Sequence, residues 1–147
     1  MQIYTRKADI KDKDLLLKWF NKSDSLKYKI QTSYKISNRE HEEWLKKRLD
    51  DKNTFIWIIE DPRKIPIGQI RFEYSKACFY EVDIYVICAY RKLGVASLAL
   101  KEAEAKCKLR PLRAIIKKNN NSSRLFFLKN NFLLNADNNN YWSLIKE

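Results

Sequence analysis

Residues 54–74 constrain the fold of this chain more than any other stretch. Thr54–Glu60 (TFIWIIE) is β-branched and aromatic throughout, without the polar alternation of a half-wetted strand. A run of this kind reads as a strand covered on both faces, which requires helices on either side of a sheet. Asp61-Pro62-Arg63-Lys64 then supplies turn chemistry, and Pro66–Tyr74 (PIGQIRFEY) returns as the hairpin partner. The rest of the chain has to supply covers and further strands for this pair.

Residues 2–6 read as a short strand. Leu15, Leu16, Leu17, Trp19 and Phe20 follow Asp12 and predict a first helix with Asp12 as its N-cap. Ser37-Asn38-Arg39-Glu40 has the S-x-x-E form of a capping box, and Trp44, Leu45, Arg48 and Leu49 recur at helical spacing behind it. Residues 78–87 form a third central strand, with Val82, Ile84 and Val86 on one face and Glu81, Asp83 and Tyr85 on the other. A helix over 94–106, a strand over 113–117, a helix over 122–129 and a strand pair, 132–136 and 141–145, around Asn138-Asn139-Asn140 complete the chain. The order β-α-α-β-β-β-α-β-α-β-β predicts an α/β fold with a mixed, mostly antiparallel sheet of six to seven strands, about four helices and one β-α-β crossover. No repeat, linker or break in composition interrupts it, so residues 1–147 read as one domain.

Composition narrows the function classes. With 45% apolar residues in 147, the chain carries too much apolar surface to stay disordered. Its longest clear apolar run, Phe55 to Ile59, is far short of the ~20 residues that span a bilayer. The start, MQIYTRKADIKDKD, lacks the apolar core of a signal peptide. Cys78, Cys88 and Cys107 show no C-x-x-C spacing and His41 is the sole histidine, which excludes a zinc finger and argues against a disulfide framework. The expectation is a reduced, cytoplasmic protein without a metal. The net charge of +12 attracts phosphate-bearing partners: nucleic acid, nucleotides, coenzymes or acidic sugars. The cations are scattered among acids and show no helix-turn-helix or RNA-recognition pattern, which weighs against nucleic acid.

The chain holds only two glycines, against about ten at average usage. Gly94 falls where a strand ends and a helix begins, in Tyr90-Arg91-Lys92-Leu93-Gly94-Val95-Ala96-Ser97. Such a joint presents unpaired N–H groups and the positive end of a helix dipole, a site for phosphate; a tight turn is the plainer alternative. Glu81 and Asp83 are candidate bases, or else strand residues facing solvent and basic neighbours.

The surrounding motifs carry a family resemblance. Val86-Ile87-Cys88-Ala89-Tyr90-Arg91-Lys92-Leu93-Gly94-Val95-Ala96 resembles the acetyl-CoA loop of GNAT-type N-acetyltransferases, V-x-x-x-Y-R-G-x-G-[IV]-[GA]. Asn120 to Ser123, Phe126, Phe127 and Lys129-Asn130-Asn131-Phe132 resemble that family's N-x-x-[AS]-x-x-[LF]-Y-x-K-x-G-F segment. The element order matches as well. The resemblance implies acetyl transfer from acetyl-CoA to a primary amine by direct attack. Val86, Ile87, Cys88, Arg91, Lys92, Leu93, Gly94, Val95, Ala96, Ser97, Asn120, Ser123 and Phe127 would then meet the coenzyme. Glu81 and Asp83 would serve as bases, Glu81 matching the carboxylate of histone-type members. Lys92 replaces a glycine, Asn131 replaces the glycine of the G-F pair, and Phe127 replaces the tyrosine that often acts as general acid. The hydroxyl would then come from Tyr85, Tyr90 or Tyr141, or the thiolate would leave unassisted.

A narrower resemblance points to an acceptor. Ile36-Ser37-Asn38-Arg39-Glu40-His41-Glu42-Glu43-Trp44-Leu45, Ile65-Pro66-Ile67-Gly68-Gln69-Ile70-Arg71-Phe72 and Trp19-Phe20-Asn21 are similar to segments of the branch that acetylates nucleotide-linked amino sugars in pseudaminic-acid-type pathways. It implies that Asn21, His41, Trp44 and Arg71 face the acceptor; a structural role in the helix face is the alternative for His41. Protein N-termini, ribosomal proteins and polyamines are alternative acceptors, although +12 repels cationic ones. A nucleic-acid-binding domain or a catalytically idle acyl-CoA binder are the readings outside this activity. Family members are often dimers; nothing in these residues requires it.

Overall fold

The structure is a computed structural model describing residues 1–22, 28 and 34–147. The strands are β1 Tyr4–Lys7, β2 Thr54–Glu60, β3 Pro66–Tyr74, β4 Tyr80–Val86, β5 Leu112–Lys117, β6 Leu133–Asp137 and β7 Tyr141–Lys146. The helices are α1 Lys13–Phe20, α2 Asn38–Asp50, α3 Val95–Cys107 and α4 Asn121–Lys129, with 3-10 turns at Ile10–Asp12 and Cys88–Tyr90. The strands form one sheet in the order β1-β2-β3-β4-β5-β7-β6, antiparallel throughout except for β4 and β5. This is the α/β order expected from the sequence. Among the described residues, no helix is long and apolar enough to cross a membrane.

The two-sided burial of β2 sets the layers. Ile56 and Ile58 pack with Leu16, Trp19 and Leu45 of α1 and α2. Trp57 and Ile59 face the other way, toward Leu100 and Ala103 or Val95 and Ala99 of α3. Truncating a fully buried core leucine such as Leu45 to alanine costs roughly 2–5 kcal/mol.

Three local expectations shift. Asp12 does not cap α1 with its side chain; its oxygens accept from the Arg6 guanidinium at 2.9 Å each and from the Asp9 N–H at 2.9 Å. A bidentate cation outcompetes a single backbone donor, and Asp9 instead caps the preceding 3-10 turn. Ser37 accepts from the Glu40 N–H at 3.1 Å as a capping box requires, while the Glu40 carboxylate turns to the Ser37 hydroxyl at 3.5 Å. The strand expected from residue 78 starts at Tyr80, because Cys78 sits in a turn at φ 66.

The feature that positions a site is the unequal pairing of β4. Seven residue pairs join it to β3, but only Tyr80↔Leu112 and Glu81↔Arg113 join it to β5. Beyond Glu81 the two parallel strands splay apart. Gly68 allows the close approach on the other side: a Cβ there would lie 2.3 Å from the Tyr85 carbonyl oxygen.

Candidate active site

The splay leaves backbone donors without a strand to bind. Ile87 N–H donates to the Ile67 carbonyl of β3 at 2.9 Å, and Tyr80 N–H donates toward β5, to Pro111, at 2.9 Å. Strand alternation therefore directs the backbone N–H groups of Tyr85 and Asp83 toward β3, and those of Val86 and Ile84 into the gap. Their N–H groups face a gap that an extended chain bearing carbonyl groups could enter.

At the open end of the gap the chain turns into α3. Gly94 holds φ 80 and ψ 6, and no side chain caps the helix. The first-turn N–H groups have no partner within the helix itself. A Cβ on Gly94 would meet nothing within 4 Å, so the backbone faces open space there. Free N–H groups, the positive dipole end and this clearance suit the diphosphate of a coenzyme. Lys92 also takes the left-handed conformation, at φ 60, where the motif usually has glycine. Arg91 folds back instead of reaching outward: its Nε donates to the Val86 carbonyl at 2.7 Å, and its guanidinium lies 5.3 Å from the Tyr85 ring centroid.

On the opposite face of the sheet, α1, α2, β3 and β4 enclose a pocket lined by Trp19, Phe20, His41, Trp44, Gln69, Arg71, Asp83 and Tyr85, among others. Register explains the grouping, since Arg71 is paired with Asp83 and Gln69 with Tyr85. Gln69 Nε2 donates to Asp83 Oδ2 at 2.8 Å, and Arg71 Nη2 lies 4.0 Å from the same oxygen. The Arg71 guanidinium stands 5.0 Å from the Trp44 ring centroid, and its Nε is 3.4 Å from Glu73. Trp19 and Tyr85 rings meet at 5.9 Å. His41 is buried beside Trp44, 5.7 Å between ring centroids. Burial first, and the Arg71 charge second, hold its imidazole below the ordinary value, so it is neutral at neutral pH.

A family model for the acetyltransferase (GNAT) domain matches residues 2–132. The chain belongs to this family. It is an acetyl-CoA-dependent N-acetyltransferase with the GNAT fold. No curated protein sequence matches it. Among solved structures, it is similar to a spermidine N-acetyltransferase from Vibrio cholerae in complex with CoA and spermine, at TM-score 0.85, 17% identity, 99% coverage of this chain and 95% of that one. An N-acetyltransferase from Staphylococcus aureus superposes with TM-score 0.79 at 22% identity, covering 100% of this chain and 99% of that one. A GNAT-family acetyltransferase from Streptococcus pneumoniae gives TM-score 0.75 at 19% identity, covering 99% and 98%. At these identities the structural likeness speaks for the fold alone.

Within this acetyltransferase the sequence-derived residues part into two groups. Asp83, Tyr85, His41, Trp44 and Arg71 come together in the one pocket, and Val86, Lys92, Leu93, Gly94, Val95 and Ala96 stand at the gap and the helix start. The others are placed elsewhere. Glu81 lies at the closed end of the β4–β5 pair, ion-paired with Arg113. At the ~3.4 Å rise of a strand it is ~17 Å from Val86, against ~10 Å for Asp83. Asn21 spends its amide on both backbone groups of Ile36, at 3.0 Å each. Asn120 caps α4 through the Ser123 N–H at 3.2 Å, and the Ser97 hydroxyl accepts from Asn130 at 3.1 Å. Phe127 is buried, edge-on to Phe126 and Phe132. Cys88 is exposed, and the Ile87 N–H is already used by β3. Sequence reasoning named Trp19 through its motif with Asn21 and missed Gln69 and Ile84 as site residues. Gln69 had a signal: it is the lone uncharged polar side chain in an otherwise apolar strand segment, Ile67-Gly68-Gln69-Ile70.

Proposed function

We propose that the acceptor is the primary amine of a nucleotide-linked amino sugar, acetylated by direct attack on acetyl-CoA. The observation that carries this reading is the Arg71 guanidinium held 5.0 Å from the Trp44 ring centroid, with Glu73 3.4 Å from its Nε and Asp83 4.0 Å from its Nη2. An aromatic plane takes a sugar or base face, and a guanidinium takes a phosphate oxygen pair. Among the described residues that line the pocket, Asp83 is the one carboxylate. The net charge of +12 also favours an anionic acceptor.

In this reading Asp83 accepts the proton lost by the attacking amine, directly or through one water. The N–H groups of Val86 and Ile84 donate to the carbonyl oxygen as charge develops on it. Tyr85, which lines the pocket, delivers a proton from its hydroxyl to the departing sulfur. Tyr90 does not serve, because its hydroxyl donates to Asp61 at 2.9 Å, and Tyr141 is not among the residues lining this pocket. Free N–H groups at Gly94, Val95 and Ala96 hold the coenzyme diphosphate.

Kinetics on Trp44→Ala and Arg71→Gln test the acceptor side. Both should raise the acceptor KM tenfold or so, about 1.4 kcal/mol, with the acetyl-CoA KM unchanged, and UDP should compete with the acceptor. Loss of acetyl-CoA affinity alone would place these residues on the wrong substrate.

A further inference from the structure

The loop between β4 and α3 has to hold two left-handed residues, Lys92 and Gly94, in the one arrangement that aims its N–H groups at an anion. Its own backbone contributes two hydrogen bonds, Tyr90 N–H to Ile87 at 3.0 Å and Arg91 N–H to Cys88 at 3.2 Å. A third hold comes from a remote turn. Tyr90, at the crown of the loop, donates its hydroxyl to Asp61 Oδ2 at 2.9 Å, across 29 positions of sequence.

Asp61 is built as an anchor. It is 1% exposed. Its Oδ1 accepts the N–H groups of Arg63 and Ile65 at 2.9 and 3.0 Å, and its Oδ2 accepts Arg63 Nε and Nη2 at 3.2 and 3.0 Å. Burial alone would raise this carboxyl; the donors from Ile65, Arg63 and Tyr90 outweigh it and bring it to about 2. The carboxylate is therefore charged at neutral pH, and four further donations from Arg63 and Ile65 fix it in place. The β2–β3 turn needs only the bonds within residues 61–65. The Tyr90 hydroxyl, which also accepts from Arg63 Nη2 at 3.4 Å, ties the loop to this turn.

We infer that Asp61 is a positioning residue for acetyl-CoA binding, holding the coenzyme loop in its anion-binding form through the Tyr90 hydroxyl. It touches neither substrate. The inference rests on the loop being the coenzyme cradle. Without the bond, the loop samples other conformations, and coenzyme affinity falls by the fraction of time spent in them.

The test is a double-mutant cycle of Tyr90→Phe and Asp61→Asn, read by calorimetric titration with CoA and by the two KM values. Tyr90→Phe keeps the ring and deletes only the hydroxyl, so it reports on the bond even if Asp61→Asn weakens the turn. Each variant should raise the CoA Kd and the acetyl-CoA KM roughly tenfold, the range of one charge-assisted hydrogen bond. The kcat at saturation and the acceptor KM should stay at parental values, which a general loss of folding would not allow. The double variant should bind CoA no worse than Tyr90→Phe alone, because loss of the hydroxyl already removes its bonds to both Asp61 and Arg63. A parental Kd in Tyr90→Phe, or additive effects in the double variant, would overturn the inference. Gly94→Ala separates the two possible failures. If it weakens CoA binding while Tyr90→Phe does not, the strut is wrong and the cradle stands; if neither does, both fall.

Discussion

The two glycines of this chain make opposite predictions when each is changed to alanine. At Gly94 the new methyl meets no atom within 4 Å, so the fold pays only for the left-handed backbone at φ 80. That cost is about 1–2 kcal/mol, offset in part by roughly 0.4–1 kcal/mol from the stiffer unfolded chain. The net is about 1 kcal/mol, or ~2–4 °C in Tm for a domain of this size. The coenzyme meets a larger penalty, because the methyl enters the space beside the free N–H groups of α3. Pushing one phosphate out of reach loses a charge-assisted hydrogen bond, about 1.5–3 kcal/mol, which is roughly 10- to 100-fold in Kd. Gly68→Ala reverses the balance. Its methyl would lie 2.3 Å from the Tyr85 backbone oxygen, which has no side-chain freedom to yield, and the fold loses about 3 kcal/mol. Thermal melts paired with calorimetric CoA titration measure both quantities on each variant. Unchanged CoA affinity in Gly94→Ala would refute the assignment of this joint to the coenzyme.

Further expectations concern turnover, backbone and pH. Asp83→Asn should lower kcat by roughly 10²–10⁴, the range of a lost general base, with the acetyl-CoA KM unchanged, whereas Glu81→Gln should leave turnover near the parent; the reverse ranking in steady-state kinetics would return the base to Glu81. Lys108 ends α3 at φ 53 with its N–H on the Glu104 carbonyl at 2.8 Å, so Lys108→Gly should stabilise by about 1 kcal/mol and raise Tm by ~2–4 °C; no rise would mean the backbone there is unstrained. Burial and Arg71 lower the His41 value, so the unfolded chain binds its proton more readily and stability is lost as pH falls from about 6.5. Urea midpoints at pH 7.5 and 5.5 should show a smaller drop in His41→Gln than in the parent, and equal drops would assign the pH dependence to other groups.

What could be read from the sequence follows the range of the interactions involved. The strands β2 and β3 fall on the residues their apolar pattern marks, because burial on two faces leaves a local trace. The left-handed turn at Gly94 is legible for the same reason: a chain so short of glycine marks the place where backbone geometry demands one. Glu81 and Asp83 look equivalent in sequence, since alternation puts both on one face of β4. Only the point where β5 stops pairing separates them, and that point is set by Leu112 and Arg113, some thirty residues on. Phe127 reads as a coenzyme contact by its place in the motif, but the neighbouring Phe126 and Phe132 draw it into the core. Asp61 reads as an ordinary turn acid; its second role depends on a tyrosine brought near only by the β3–β4 hairpin. Asp12 lost its cap role to Arg6 of β1, a competition decided by strand placement.

The most direct test of the acceptor assignment is thiol release from acetyl-CoA with three acceptors side by side: a UDP-linked 4-amino sugar, spermidine and a short peptide with a free N-terminus. The geometry around Arg71, Trp44 and Asp83 predicts that kcat/KM for the sugar nucleotide exceeds the other two, with one thiol released per acetylated sugar and inhibition by free UDP. Faster release with spermidine or the peptide, and no inhibition by UDP, would contradict it and make the pocket a site for a cationic amine.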